Sequence, residues 1–251
     1  MPAEESSPAI VLRARDYAEA DRIVTLLTRD FGKLSGIAKG AKASRKRFER
    51  KLEPLSCVTL FFRRRPHGQL VFITRAEPGE TLHPPLDDEL TKLALGAYMV
   101  ELADALMREE GEAARAFRVL EDALAAAGQG PPTLALRQAY ELQMMEATGY
   151  GLDFARCRLC GNRVETLTGA LYFVVARGGI VCGRCRPEAP EGAVRLEGQS
   201  ALVLAHLAVT PLELIASATA AGRDGAAALN RFLMTILDRR LRSADFLDGV
   251  L

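Results

Sequence analysis

At 251 residues, 49% of them hydrophobic and 26% charged, the chain has material for a sizeable core and for one to three domains. No apolar run approaches the roughly 18 residues a membrane span needs, and Met1 to Pro8 lacks the charged and apolar character of a signal sequence, so a cytoplasmic location is expected. The formal net charge of +1 hides an asymmetry: residues 1–80 carry 16 Lys and Arg against 10 Asp and Glu, leaving 17 against 22 in 81–251. A basic first part points to a polyanionic partner for that part only.

From Ala9 the residues alternate, with Ile10, Leu12 and Ala14 on one face and Val11, Arg13 and Arg15 on the other, which predicts a half-buried strand. Ile23–Thr28 and Lys33–Ala38 are also strand-compatible, joined by a turn at Asp30-Phe31-Gly32. Val58–Arg63 and Leu70–Arg75 follow, joined by Arg65-Pro66-His67-Gly68. Five short strands with no long helix predict a small closed barrel, and the OB fold is the commonest of that size. Cys57, alone in an apolar run, reads as a small core residue.

Residues 33–51 hold Lys33, Lys39, Lys42, Arg45, Lys46, Arg47, Arg50 and Lys51 against the single acid Glu49. Among Gly36, Gly40 and Ser44 they read as a mobile basic loop, which Arg13, Arg15 and Arg63 on the strands extend. A positive groove on a small barrel, beside aromatics such as Phe31, Phe48, Phe61 and Phe62, suits single-stranded nucleic acid, with Phe61 or Phe62 better placed as core. The bland counterpart is a solubilising charged face.

Pro78, Gly79, Pro84 and Pro85 mark a linker, after which the texture becomes helical. Asp87 can start a first helix, running through Leu90–Met107 with apolar residues on several faces; Ala113–Ala127 and Thr133–Thr148 follow. Beyond the cysteines, Glu197–Leu207 forms another helix, and Thr210-Pro211-Leu212-Glu213 combines a capping box with proline at the first helical position. Ala226–Arg242 closes the chain, with Leu229, Phe232, Leu233, Ile236 and Leu237 on one stripe and Arg239, Arg240 and Arg242 in its last turn.

The most specific chemistry lies between these helices. Cys157-Arg158-Leu159-Cys160 and Cys182-Gly183-Arg184-Cys185 are two C-x2-C pairs separated by residues 161–181, a spacing at which two knuckles hold one tetrahedral zinc. Gly161 and Gly183 suit the tight turns, and Ala170–Val175 with Ile180-Val181, joined at Gly178-Gly179, read as a hairpin between them. Four thiolates fill the coordination sphere, so the ion is expected to be structural. Arg156, Arg158, Arg163, Arg184 and Arg186 flank the pairs and offer a second basic surface.

Catalytic motifs are missing. No His-x-Glu accompanies the cysteine pairs, and His67, His83 and His206 are scattered. Gly32-Lys33 lacks the flanking residues of a phosphate loop. The expectation is a protein that is not an enzyme: an α+β multidomain chain with an OB-fold β-barrel over 1–80, then a mainly α-helical domain over 81–251 that contains a four-cysteine zinc-ribbon-like insert at 153–192.

Several ordered motifs carry a family resemblance: Ala-Ile-Val-Leu-Arg-Ala-Arg-Asp-Tyr at 9–17, Ala20-Asp21-Arg22-Ile23-Val24, Gly32-Lys33-Leu34, Ala38-Lys39-Gly40-Ala41, and the basic run from Ser44-Arg45 to Lys51 followed by Leu52-Glu53-Pro54-Leu55. With the cysteine spacing, these resemble the RecO family of bacterial recombination mediators over nearly the whole chain. Ala18 departs from the glycine frequent after Asp-Tyr. The resemblance implies a nucleoid-associated repair protein that binds single- and double-stranded DNA and anneals complementary strands. It also implies work with RecR to load RecA onto DNA coated by the single-strand-binding protein SSB, whose acidic C-terminal tail would be a partner. Arg231, Arg239 and Arg240 are conceivable contacts for that tail. The alternative is an adaptor whose helical domain is the working surface and whose basic loop has no direct DNA role.

Overall fold

The computed structural model describes residues 3–44, 47–48, 51–64, 70–79, 86, 89–108, 113–186 and 191–251. The expected turn at 65–68, the linker at 80–85, the helix start at Asp87, and Arg45, Lys46 and Arg50 lie outside these residues. The chain forms two compact units, 1–129 and 130–251.

In the first unit, β1 (Glu5–Tyr17), β2 (Asp21–Thr28), β3 (Gly32–Ala38), β4 (Cys57–Arg63) and β5 (Val71–Pro78) form a closed barrel in the order β1-β2-β3-β5-β4. All neighbours are antiparallel except β3 and β5, which close the barrel in parallel through Gly36↔Val71 and Ile37↔Phe72. Glycine is required at this seam, because a Cβ on Gly36 would lie 2.7 Å from Ile73 Cγ1 and 2.9 Å from Val71 Cγ2. The core contains Val11, Val24, Leu26, Leu34, Leu60, Phe62 and Ile73.

β1 departs from the expected half-buried alternation, for Ile10, Val11 and Leu12 are all buried. Its register shifts between Val11 and Arg13, so Ala14 packs on the same barrel core as Val11. The outer face is covered as well, because α1 (Leu90–Leu106) packs on β1, and α2 (Ala114–Gln129) on β1 and β2. Two buried faces replace the usual alternation with a continuous apolar run. Cys57 is half-buried at the start of β4, where burial, with a smaller contribution from the Glu121 carboxylate, pushes its thiol up to about 12.

The second unit opens with α3 (Leu134–Ala147), capped by the Thr133 hydroxyl accepting from the Leu136 N–H at 3.2 Å. A four-stranded sheet follows in the order β6-β8-β7-β9, built from β6 (Asp153–Cys157), β7 (Leu171–Val174), β8 (Gly179–Cys182) and β9 (Val194–Leu196). β7 and β8 form the expected hairpin, turning at Gly178 with φ of 58°. Phe154 stacks on Phe173 at 5.3 Å, and Phe173 meets Phe232 edge-on at 6.2 Å, which ties the sheet to the helices. Those helices are α4 (Gly198–Leu207), α5 (Arg223–Leu237) and α6 (Arg242–Asp248).

Two expected helix boundaries change. Leu212–Ser217 is a short 3-10 segment, and the Thr210 hydroxyl donates back to the His206 carbonyl at 2.9 Å instead of capping forward. Leu212 and Ile215, three residues apart, are its buried positions, a spacing that suits three residues per turn. The last long helix stops at Leu237, because Asp238 takes a left-handed conformation with φ of 51°. Arg239 and Arg240 therefore follow α5 instead of forming its last turn, and Arg242 begins α6. No helix among the described residues is long and apolar enough to cross a membrane.

Candidate metal centre and nucleic-acid interface

The metal site is assembled from two knuckles that the sheet brings together. β6 delivers Cys157 and β8 delivers Cys182; Cys160 and Cys185 follow after tight turns. In the first turn the Gly161 N–H donates to the Cys157 carbonyl at 2.9 Å, with Gly161 left-handed at φ of 75°. In the second the Cys185 N–H donates to the Cys182 carbonyl at 3.0 Å. Gly183 serves closeness instead of handedness: its N–H reaches the Ala170 carbonyl at 2.8 Å, and a Cβ would lie 3.2 Å from that oxygen.

The four Sγ atoms lie within 4.8 Å of one another, with Cys157–Cys185 and Cys160–Cys182 each at 3.9 Å. A tetrahedral ion bound by thiolates at about 2.3 Å requires sulfur–sulfur edges of about 3.8 Å. The cluster therefore fits a four-thiolate metal site with small adjustments. Burial pushes the Cys157 thiol up, but the backbone N–H groups of Cys160, Cys182 and Leu159 outweigh it and bring the thiol down to about 6. Cys185 is pushed up to about 12 by hydrogen bonding with Cys160 and Cys182, with burial adding to the effect. Four thiols this close cannot all ionise alone, and a bound dication removes that conflict. The residues that would hold the ion are Cys157, Cys160, Cys182 and Cys185, and what it supplies is a crosslink between the knuckles.

The cations predicted on the barrel separate into distinct environments. Lys33 is only 13% exposed, and its Nζ donates to the Asp104 backbone carbonyl at 2.7 Å and approaches that residue's carboxylate at 3.4 Å. Arg13 binds the same carboxylate at 2.7 Å, although its own side chain is 68% exposed. Lys42 meets Asp16 at 3.0 Å, and Arg63 lies 3.9 Å from Glu4. Arg15, Lys39 and Arg47 are exposed, whereas Lys51 is half-buried.

Arg47 and Lys39 come together, because the Arg47 guanidinium donates to the Lys39 carbonyl at 3.1 Å. The expected loosely held loop is anchored at its described points. Phe48 and Leu52 are buried in the barrel core, and the Arg47 carbonyl accepts from the Ala76 N–H at 3.0 Å. Phe48 is thus a plug and not a stacking platform, and Phe62 is likewise core. Phe31 packs edge-on to Phe62, while Phe61 is half-buried on the outside with Arg75 3.5 Å above its ring.

In the second unit Arg231 and Arg239 are exposed, and Arg240 binds Asp245 at 2.7 Å and Asp248 at 2.8 Å. Asp104 is the carboxylate that sequence reading missed. It sits on α1, 71 residues from Lys33, and no local pattern marks it.

Comparison with known proteins agrees over nearly the full length. Residues 1–82 match the family model described as Recombination protein O N terminal, and 88–245 match Recombination protein O C terminal. The DNA repair protein RecO of Anaeromyxobacter sp. (strain Fw109-5) is 37% identical over 251 residues, covering 96% of this chain and 94% of that protein. That of Anaeromyxobacter dehalogenans (strain 2CP-C) is 35% identical over 245 residues, covering 96% and 94%. A more distant relative, the DNA repair protein RecO of Syntrophus aciditrophicus (strain SB), is 29% identical over 252 residues, covering 99% and 96%. With a closed five-stranded barrel, a helical unit carrying a four-cysteine cluster, and both halves matched in order, the chain belongs to the RecO family of DNA repair proteins.

Proposed function

We propose that this chain binds single- and double-stranded DNA through the exposed cations of its barrel and anneals complementary strands, with no covalent chemistry. The observation that carries this reading is the anchored cluster of Lys39 and Arg47, exposed and joined at 3.1 Å, with Phe48 plugged into the barrel beneath. Arg15 and Lys42 are exposed on the same barrel, and Arg45, Lys46, Arg50 and Lys51 belong to the same basic stretch of sequence. Cations here contact phosphates, so recognition carries little base specificity. Neutralising the phosphates of two strands lowers their repulsion, and base pairing supplies the free energy of annealing.

Family membership supports the wider role: work with RecR to load RecA onto SSB-coated DNA, in the cytoplasm and at the nucleoid. An acidic SSB tail would meet the cations of the helical unit, where Arg231 is exposed on α5 and Arg240 is already held by two carboxylates. The four thiolates are a soft tetrahedral set that suits zinc in a structural role.

The test is salt-dependent single-strand binding and strand annealing by the wild type and by a variant with Lys39, Arg45, Lys46 and Arg47 replaced by glutamine. Binding should weaken steeply with salt, by about 0.7 in logarithmic slope per phosphate contact, and the variant should lose both slope and annealing rate. Salt-independent binding, or a variant that anneals like the wild type, removes the proposal. Metal analysis of the purified protein tests for one zinc per chain.

A further inference from the structure

The segment that holds the two knuckles carries more arginines than holding an ion requires. Residues 153–186, which hold both knuckles, contain six arginines, Arg156, Arg158, Arg163, Arg177, Arg184 and Arg186, against two acids, Asp153 and Glu165, and Glu188 and Glu191 follow in the sequence. All six are exposed. Four thiolates around a dication leave two negative charges at the centre, so the centre with Asp153 and Glu165 offsets four of the six arginines of this span.

Many cations of the barrel are held by carboxylates, whereas Arg15, Lys39 and Arg47 have none among the described residues. Arg13, Arg22, Lys33, Lys42, Arg63, Arg64 and Arg75 each have a carboxylate within 4.0 Å. Among the described residues of the insert, Arg158 and Arg163 are paired, with Asp153 at 3.5 Å and Glu165 at 3.7 Å. Arg156, Arg177, Arg184 and Arg186 have no carboxylate partner among the described residues.

Their placement follows from the metal site. Arg158 lies within the first knuckle, its N–H on the Ile180 carbonyl at 2.7 Å and its stem against Gly179, where a Cβ would lie 3.0 Å from Arg158 Cγ. Arg156 precedes that knuckle and faces Arg163 across an isolated antiparallel bridge. Arg184 lies within the second knuckle, and the Arg186 N–H donates to the Cys182 carbonyl at 3.1 Å. The closure of four sulfurs to within 4.8 Å therefore gathers Arg156, Arg158, Arg184 and Arg186 around one centre, although the two knuckles are far apart in sequence.

Guanidinium groups that lack carboxylates, held on a crosslinked scaffold, suit the paired oxygens of phosphates. We propose that the knuckle arginines Arg156, Arg184 and Arg186 form a second phosphate-binding surface for a nucleic-acid strand, distinct from the barrel cluster. The inference rests on the DNA-binding reading above and extends it: one chain carries two strand-binding surfaces, and the metal builds one of them. Its contacts read the backbone, because flexible cations around a knuckle present no fixed pattern to base edges.

The experiment compares four full-length, metal-loaded proteins on one single-stranded oligonucleotide: wild type, the barrel variant with Lys39, Arg45, Lys46 and Arg47 replaced by glutamine, the Arg156→Gln, Arg184→Gln, Arg186→Gln triple variant, and the matching triple lysine variant. The glutamine variant should lower the slope of log affinity against log salt by about 2, at about 0.7 per contact, while the lysine variant keeps most of it. In parallel, chelator-driven release of metal from the wild type should slow when the oligonucleotide is bound over the knuckles. This readout needs no substitution and stands even where a variant folds poorly. A glutamine variant with the wild-type slope, or metal release indifferent to oligonucleotide, overturns the second surface. If the barrel variant loses binding while the knuckle variant does not, the second surface alone fails. If the wild type binds no nucleic acid, the DNA-binding reading fails and takes the second surface with it.

Discussion

Replacing Lys33 separates two roles that look identical in sequence. Lys33 opens the basic stretch, yet its ammonium is 13% exposed and lies 2.7 Å from the Asp104 carbonyl, with the Asp104 carboxylate at 3.4 Å and 10% exposed. The Asp104 carbonyl is among the last of α1, whose final four carbonyls have no partner within the helix, so the lysine acts as a remote C-terminal cap. Hydrogen bonds to a charged group contribute about 1.5–3 kcal/mol, and deletion also leaves a largely buried carboxylate with Arg13 as its one remaining cation among the described residues. Lys33→Met, which keeps the stem and removes the charge, should therefore destabilise the protein by about 2 kcal/mol. With a urea m value of about 2 kcal/mol/M, the unfolding midpoint followed by circular dichroism drops by about 1 M. The salt slope of single-strand binding should not change. A slope reduced by about 0.7 with an unaltered urea midpoint would refute this reasoning and make Lys33 a phosphate contact.

Two further outcomes concern the helical unit. Cys182→Ala should abolish stoichiometric metal binding and unfold the four-stranded sheet, because metal binding and folding of such an insert share one free energy; retained metal with an intact fold would show that three ligands suffice. Asp224 binds the Glu197 N–H and the Ser200 hydroxyl, both at 2.7 Å, and so anchors the start of α4 from 27 residues away. Burial raises its pKa, but these hydrogen bonds outweigh that effect and hold it below 3.8. A folded pKa below the unfolded one gives stability that is present above about pH 4 and lost as pH falls through the folded value. Asp224→Asn should cost about 1 kcal/mol at pH 7, in line with loss of a cap, and the gap to wild type should close in acid denaturation below about pH 4. A gap independent of pH contradicts the charge assignment.

The positions of the barrel strands and of most helices were legible because their signals are local. Alternation over a few residues, a turn at Asp30-Phe31-Gly32, and apolar stripes such as Leu229, Phe232 and Leu233 depend on neighbours in the chain. The four-cysteine cluster was equally legible, since two C-x2-C pairs state both its members and their knuckle geometry. A local signal misled where packing replaced it: Thr210 and Glu213 spell a capping box, yet the Thr210 hydroxyl turns back to His206.

The sequence by itself determined a basic barrel, a helical remainder and a four-cysteine cluster. Only the tertiary structure decided what each charge does. Lys33 and Arg13 converge on Asp104, Arg240 joins α6, Phe48 seals the barrel, and Arg156, Arg184 and Arg186 flank the cysteine cluster with no carboxylate partner among the described residues. The physical reason is that a cation's role depends on the nearest carboxylate in space. That distance is set by the closure of loops tens of residues long, which no local pattern encodes.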